Sequence, residues 1–175
     1  FAVLAEVPVD VMYGGTVFYP VHQNVISTLL LGLLGIRLME AARAKGKRWL
    51  YVLTCAAVVV LGFALGTLGM VDYYGAGVLT VFAFYFFRER KWWCLLGQLA
   101  ALYWLNVVVL GGQMYPVTLF GREIELCEQG LALLALVPIW LYRGRQGHHS
   151  KAFQYACYAF YPAHMLVLAL LTMIQ

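Results

Sequence analysis

The chain has 175 residues, of which 63% are hydrophobic and only 11% are charged. Soluble domains have about 45–50% apolar and about 25% charged residues, so this composition excludes a soluble globular protein and predicts a membrane protein. The formal net charge of +4 is accounted for below by membrane topology, so no nucleic-acid partner is expected. The long apolar runs lack the period-two alternation of a membrane barrel, which predicts an all-α, polytopic helical fold.

Six full transmembrane helices are predicted, in chain order, from apolar runs and the charges that bound them. They cover residues 24–40, 49–69, 73–87, 92–110, 126–142 and 153–174. Residues 1–9 are predicted to form the last turns of a further, partial helix, which ends at Pro8 and Asp10. Together, residues 1–175 form one helical bundle domain. Because the sequence begins without Met and is already apolar, we expect it to be the C-terminal part of a longer chain.

The basic residues predict the orientation of the bundle. Eleven of the twelve Lys and Arg residues lie on one side, and only Arg122 lies on the other. The positive-inside rule therefore places loops 41–48, 88–91 and 143–152 in the cytoplasm. A binding site for an anionic cytosolic ligand is the alternative explanation for these charges.

Small residues predict close helix packing. Gly62 and Gly66 form a small-xxx-small pair, and Gly32 and Gly35 are similarly placed on an earlier span. In a bilayer such residues let two helices approach closely. Neither pair implies chemistry.

Polar residues at membrane depth are the candidate functional groups. An ionisable side chain at the centre of a bilayer helix costs at least about 2.5–3.5 kcal/mol, so it usually faces the bundle interior and marks a functional path. The residues in the middle or outer half are Glu6, Asp10, His22, Asn24, Asn106, Glu128, Gln129 and His164. Hydrogen bonding between helices is the competing explanation, and it is favoured for Asn106.

His164 lies near mid-membrane, two residues after Pro162. A proline inside a helix removes a backbone hydrogen bond, frees a carbonyl and bends the segment. The histidine beyond that bend can serve either as a neutral hydrogen-bonding residue or as a general acid or base. The four cysteines are scattered singly without histidines at metal spacing, so no metal is expected.

Five motifs follow one another along the chain: FAVLAEVPVDVMY, NVISTLLLGLLGI, YYGAGVLTVFAFYFFR, QGLALLALVPIWLYRGRQG and KAFQYACYAFYPAHMLVLAL. In order and spacing they resemble the motifs of the TraX family of integral membrane proteins. The resemblance covers nearly the whole sequence. It implies a membrane acyltransferase, because the founding member is associated with N-terminal acetylation of the conjugative pilin subunit.

The resemblance also implies a set of site residues. His164 is the catalytic candidate, with Glu6, Asp10 and Asn24 around it, and the histidine deprotonates an amine or hydroxyl acceptor for direct attack on a thioester. An acceptor-side polar cluster comprises His22, Asn106, Glu128 and Gln129. The phosphates of acetyl-CoA, the expected acyl donor, would bind Arg43, Lys45, Lys47, Arg48, Arg143, Arg145 and Lys151. The family begins with further helices that carry an Asp-His pair, absent here, so the catalytic histidine is either His164 or one in that segment.

The expected location is the bacterial inner membrane, with membrane lipid as a partner and a pilin, glycan or lipid as acceptor. Two other functions fit the same residues. Intramembrane carboxylates and a proline-broken helix are also found in transporters of small solutes or lipids. A non-catalytic subunit of a conjugation or envelope assembly would use the polar residues only to hold helices together.

Overall fold

The computed structural model describes residues 2–16, 18–19, 21–119, 121–142, 144, 147 and 150–173. Along these residues the α-helices are α1 (Ala2–Gly14), α2 (Val25–Ala44), α3 (Arg48–Leu68), α4 (Tyr74–Phe86), α5 (Trp92–Tyr103), α6 (Leu136–Leu141) and α7 (Lys151–Met173). A π-helical segment, Trp104–Leu110, continues α5. Strands β1 (Met114–Leu119) and β2 (Arg122–Cys127) form an antiparallel hairpin, and a 3₁₀ segment, Glu128–Ala135, leads into α6.

Three helices in the described part of the chain are long and apolar enough to cross a membrane. They are Val25–Ala44, Arg48–Leu68 and Trp92–Leu110. Each contains about 20 residues, the length that spans a hydrocarbon core of about 30 Å. They coincide with three of the predicted spans, so the helical membrane character is confirmed.

Six full spans, however, are not shown. α4 has 13 residues, about 20 Å of helix, where residues 73–87 were predicted to cross. Residues 126–142 do not form one helix: Leu126 and Cys127 end β2, Glu128–Ala135 form a 3₁₀ segment and only Leu136–Leu141 are α-helical. The last predicted span, 153–174, lies within the 23-residue α7 as far as Met173; Ile174 lies outside the described residues.

The hairpin also corrects the all-α fold class. β1 and β2 pair in register from Met114 with Cys127 to Leu119 with Arg122, and β2 is exposed along most of its length. The architecture is therefore helical with one small two-stranded sheet. The sheet sits at the end of α5 that lies opposite the loop at residues 88–91.

Pro8 and Pro162 each lie inside a continuous helix. α1 runs through Pro8 to Gly14, so the predicted end of that helix at Pro8 and Asp10 is wrong. α7 likewise continues through Pro162. One missing hydrogen bond does not end a helix where neighbouring groups satisfy the freed carbonyl. The helices α1 and α7 pack against each other.

The core lies where α2, α3 and α4 meet, and Phe82 of α4 is its largest fully buried side chain. A Cβ atom on Gly35 would lie 2.6 Å from the Phe82 ring, and a Cβ on Gly62 would lie 2.7 Å from it. The aromatic ring thus occupies the space that two glycines leave open. This confirms the close approach that the glycine pairs predicted.

Candidate functional site

Asn24 joins α1 to the start of α2. Its Oδ1 accepts hydrogen bonds from the backbone N–H groups of Ile26 at 2.9 Å and Ser27 at 3.3 Å, which caps the helix. Its Nδ2 donates to Glu6 Oε2, and its side chain is almost fully buried. One amide therefore holds a helix terminus and an acidic side chain of another helix at the same time.

Asp10 lies one helical turn after Glu6 on α1 and is 2% exposed. Within the described residues, Asp10 Oδ1 and Glu6 Oε1 are buried atoms without a hydrogen-bond partner. A buried polar atom left unpaired costs free energy, so such atoms in a native fold call for an explanation. Glu6 also lies within electrostatic reach of Asp10 and His22.

His22 pairs with a residue that sequence analysis did not single out. Its Nε2 lies 3.5 Å from Asp72 Oδ1, and each side chain is 25% exposed. Asp72 belongs to the turn between α3 and α4, which is held in place by two contacts: the backbone N–H of Gln23 donates to Met70 O at 2.9 Å, and Thr28 Oγ1 donates to Asp72 O at 2.8 Å. The only signal in the sequence was a lone acid between two apolar runs.

Burial raises the pKa of the Asp72 carboxyl above its ordinary value, and the nearby His22 opposes that rise. An imidazole beside a carboxylate is the arrangement that orients a general base. We refer to Glu6, Asp10, His22, Asn24 and Asp72 as the polar cluster. Of the predicted catalytic residues, the structure brings together Glu6, Asp10 and Asn24.

His164 lies on α7, about 20 Å along the helix from Lys151. Its Nδ1 is 3.1 Å from Phe160 O, and its ring stacks on Phe160 at 5.2 Å and meets Tyr161 edge-on at 5.3 Å. A carbonyl only accepts, so Nδ1 is the donor in this contact. In the described part of the chain these contacts all lie within α7, and its link to the polar cluster runs through the packing of α7 on α1.

The predicted acceptor-side residues divide into two groups. Asn106 and Gln129 line one cavity of about 340 Å³, where Asn106 is buried and its Nδ2 donates to Leu102 O at 2.9 Å. His22 belongs instead to the polar cluster. Glu128 is exposed at the start of the 3₁₀ segment.

Basic residues line two adjoining pockets of about 220 Å³ at the opposite end of α2. The predicted Arg43, Lys47 and Arg48 line the first with Tyr51. Lys45 and Lys151 are exposed and line neither pocket, while Arg143 and Arg145 lie outside the described residues.

Arg88 was missed in the donor-phosphate prediction, although it lies in the second basic loop. It lines the second pocket, and its Nη1 is 3.1 Å from Glu40 Oε1. Tyr85 donates to the same oxygen at 2.8 Å, and the Arg88 guanidinium lies 4.7 Å from the centroid of the Tyr85 ring. These contacts give the pocket an ordered wall.

The fold and the site define a helical membrane protein with a buried polar cluster at one end of its spans and basic pockets at the other. A family model described as TraX protein matches residues 1–172. The chain belongs to the TraX family, which confirms the resemblance drawn from the motifs. Comparison with curated proteins and with solved structures gave no match.

Proposed function

We propose that this chain is a TraX-type membrane acyltransferase of the bacterial inner membrane that transfers an acetyl group from acetyl-CoA to an amine or hydroxyl acceptor. A pilin N-terminus, as in conjugation, and a glycan or a lipid are the acceptor classes. The observation that carries the proposal is the pair of His22 and Asp72, 3.5 Å apart, beside further buried acidic groups. Loops 41–48, 88–91 and 143–152 are cytoplasmic in this proposal, as the positive-inside rule expects.

His22 is the proposed general base. Asp72 accepts from His22 Nε2, holds the ring in one orientation and stabilises the imidazolium that forms when the acceptor loses its proton. This assignment replaces His164 in that role, because among the histidines of the described residues it is His22 that lies 3.5 Å from a carboxylate. Glu6 and Asn24 support the same end of the bundle through their hydrogen bond.

The donor is proposed to bind at the basic pockets lined by Arg43, Lys47, Arg48 and Arg88. Guanidinium groups bind phosphates through charge-assisted, often bidentate hydrogen bonds, so this surface suits the phosphates of coenzyme A. The 20 residues of α2 separate this end from the polar cluster by about 30 Å. The acetyl group therefore has to be carried between the two ends.

His164 is proposed to hold the acetyl group as a covalent intermediate on this path. With the proton on Nδ1, Nε2 attacks the thioester carbonyl and the C–S bond breaks; Nδ1 keeps its proton, and the leaving thiolate takes a proton from water. The acceptor then attacks the N-acetylimidazolium, the N–C bond to His164 breaks and the ring leaves neutral, and the acceptor proton passes to His22, which returns it to water. The predicted direct attack on the thioester would need no such intermediate, so the two routes differ in a measurable way.

The deciding experiment measures thiol release and acceptor acetylation separately. The full-length protein in nanodiscs is mixed with radiolabelled acetyl-CoA, with or without a pilin N-terminal peptide or membrane lipid. We expect His22→Gln to release about one thiol per protein and to abolish acceptor labelling. His164→Gln should abolish both signals. His148→Gln is the control histidine variant from a predicted cytoplasmic loop.

Other outcomes assign other functions. Thiol release that survives His164→Gln while labelling persists would remove the intermediate and restore direct attack. Absence of donor binding and of turnover with every acceptor would overturn the acyltransferase proposal. Movement of a solute without acetyl-CoA would then favour a transporter, and neither activity would favour a structural subunit.

A further inference from the structure

The cavity of about 340 Å³ is elongated and lies between helices. Its walls come from α2, α4, the end of α5 and the segment 128–141. It extends along α4 from Tyr73 to Phe84, eleven residues, which is about 16 Å of helix. The apolar lining includes Leu29, Val81, Phe84, Leu102, Leu110 and Ile139. The cavity therefore runs with the membrane-crossing helices, not across them.

One end of the cavity adjoins the polar cluster. Val25, Thr28 and Tyr73 line it. Val25 follows Asn24, Tyr73 follows Asp72, and Thr28 donates to the backbone carbonyl of Asp72. A molecule inside the cavity thus has its end beside the groups that the proposed function uses.

The size of the cavity limits which molecules can fit inside it. A volume of about 340 Å³ spread over about 16 Å of helix makes the cavity long and narrow. An α-helix with side chains is about 10–12 Å wide and does not fit. A chain one carbon thick does fit, because non-bonded carbon atoms lie about 3.5–4.0 Å apart.

The charge of the polar cluster distinguishes between headgroups. Glu6, Asp10 and Asp72 are three carboxyl groups beside the imidazole of His22. The Asp72 side chain is 25% exposed, and Asp72 immediately precedes Tyr73 at the end of the cavity, whereas the oxygens of Glu6 and Asp10 that are unpaired in the described part of the chain are buried and do not line it. An ammonium group offers three donors and a positive charge to the Asp72 carboxylate. An anionic headgroup would be repelled there.

We propose that the cavity binds one hydrocarbon chain of an amine-bearing membrane lipid and that its headgroup lies at the polar cluster. The further step, that this amine is an acetyl acceptor, rests on the proposed function. The binding itself does not.

The test uses phosphatidylethanolamine with a photoreactive diazirine on one acyl chain, in nanodiscs that contain the full chain. We expect the label to map to residues of the cavity walls, chiefly Val81, Phe84 and Ile139. Ala132→Phe places a ring in the cavity and should lower this labelling at least five-fold. Ala57→Phe, on the exposed face of α3, makes the same change outside the cavity and should leave labelling unchanged. Diazirine phosphatidylglycerol should label these residues at least three-fold less.

Labelling that is spread over the exposed helix faces and unaffected by Ala132→Phe would overturn the proposal. Equal labelling by the two lipids would also overturn it. Absence of label, together with dimers that Ala132→Phe dissociates, would overturn it too, because a second copy of the chain would then fill the cavity. Ala135→Phe provides a second filled cavity if the first variant fails to fold. A protein that acetylates its acceptor but is not labelled in the cavity would contradict only the lipid site. A protein that is labelled in the cavity but never releases thiol from acetyl-CoA would contradict only the proposed function.

Discussion

His22 Nε2 and Asp72 Oδ1 lie 3.5 Å apart, although 49 residues of sequence, including two apolar helices, separate them. The contact forms because the segment before α2 and the turn after α3 meet in a parallel bridge between Gln23 and Val71. Both elements lie at the same end of an antiparallel pair of helices. The contact brings an imidazole and a carboxylate together at one end of these helices.

Asp72 predicts a specific pH dependence of stability. Its pKa is raised by burial, so its ionisation favours the unfolded state, and its contribution to stability is lost as the pH rises from the ordinary value of 3.8 through the folded value. We expect the thermal midpoint of the wild type, relative to Asp72→Asn, to fall over this window and then to level off. Midpoints recorded in detergent from pH 3.5 upward test this.

A substitution of His22 tests whether this imidazole affects the pKa of Asp72. His22 lowers the pKa of Asp72, so His22→Gln should move the window to higher pH. Parallel wild-type and Asp72→Asn curves throughout would contradict the burial of this carboxyl.

The hydrogen bond between Asn24 and Glu6 predicts that a second substitution, at Glu6, restores stability lost by a substitution at Asn24. Asn24→Ala removes the cap of α2 and the donor to Glu6 Oε2, which should lower the free energy of unfolding by about 1–3 kcal/mol. Asn24→Asp keeps the cap but faces Glu6 with a second carboxylate, so it should also destabilise the protein. Adding Glu6→Gln restores a donor and should recover most of the thermal midpoint; a double variant no more stable than Asn24→Asp would refute the pairing.

The contact of Phe82 with Gly35 predicts a size-dependent loss of stability. Gly35→Ala places a Cβ atom 2.6 Å from the ring and should cost about 1–3 kcal/mol, the usual range for overpacking. Gly147→Ala meets no neighbour and serves as the control. Combining Gly35→Ala with Phe82→Leu should relieve part of the strain, and additive effects in thermal unfolding would count against this packing.

Gln98 connects α5 to α6 through a hydrogen bond with Trp140, which predicts that loss of this bond destabilises the protein. Trp140 Nε1 donates to Gln98 Oε1 at 2.7 Å, and Gln98 Nε2 donates to Phe87 O at 2.9 Å. Trp140→Phe leaves the buried amide oxygen without this donor, so we expect a loss of about 1–3 kcal/mol. Trp92→Phe, at a tryptophan that is 74% exposed, should have little effect. Equal midpoints for the two variants would rule out a structural role for this bond.

Arg48 at the basic pocket predicts selective weakening of donor binding. Removing one charge-assisted hydrogen bond costs about 1.5–3 kcal/mol, so Arg48→Ala should weaken coenzyme A binding at least about ten-fold by titration calorimetry. Arg122→Ala removes the basic residue predicted to lie on the opposite side and should leave binding unchanged. A similar loss in both variants would point to a general charge effect.

The sequence by itself determined that this is a membrane protein, where three of its spans lie, which family it belongs to and which residues are worth testing. Composition is sufficient for this, because a bilayer demands about 20 apolar residues for each crossing helix. The glycine pairs also predicted close packing, since a missing side chain affects the approach of helices directly. The hairpin at residues 114–127 lies mostly between two predicted spans and was not predicted; the alternation of Glu123, Ile124, Glu125 and Leu126 was the overlooked signal of a strand.

Only the tertiary structure decided which polar residues meet. Depth along a helix is readable from sequence at about 1.5 Å per residue, but the direction in which a side chain points depends on how the helices pack. That packing placed His22 against Asp72 instead of with Asn106, and it lined a cavity with Asn106 and Gln129. It also left His164 bonded within its own helix, because contacts between distant segments arise from the relative positions of helices, which no local pattern encodes.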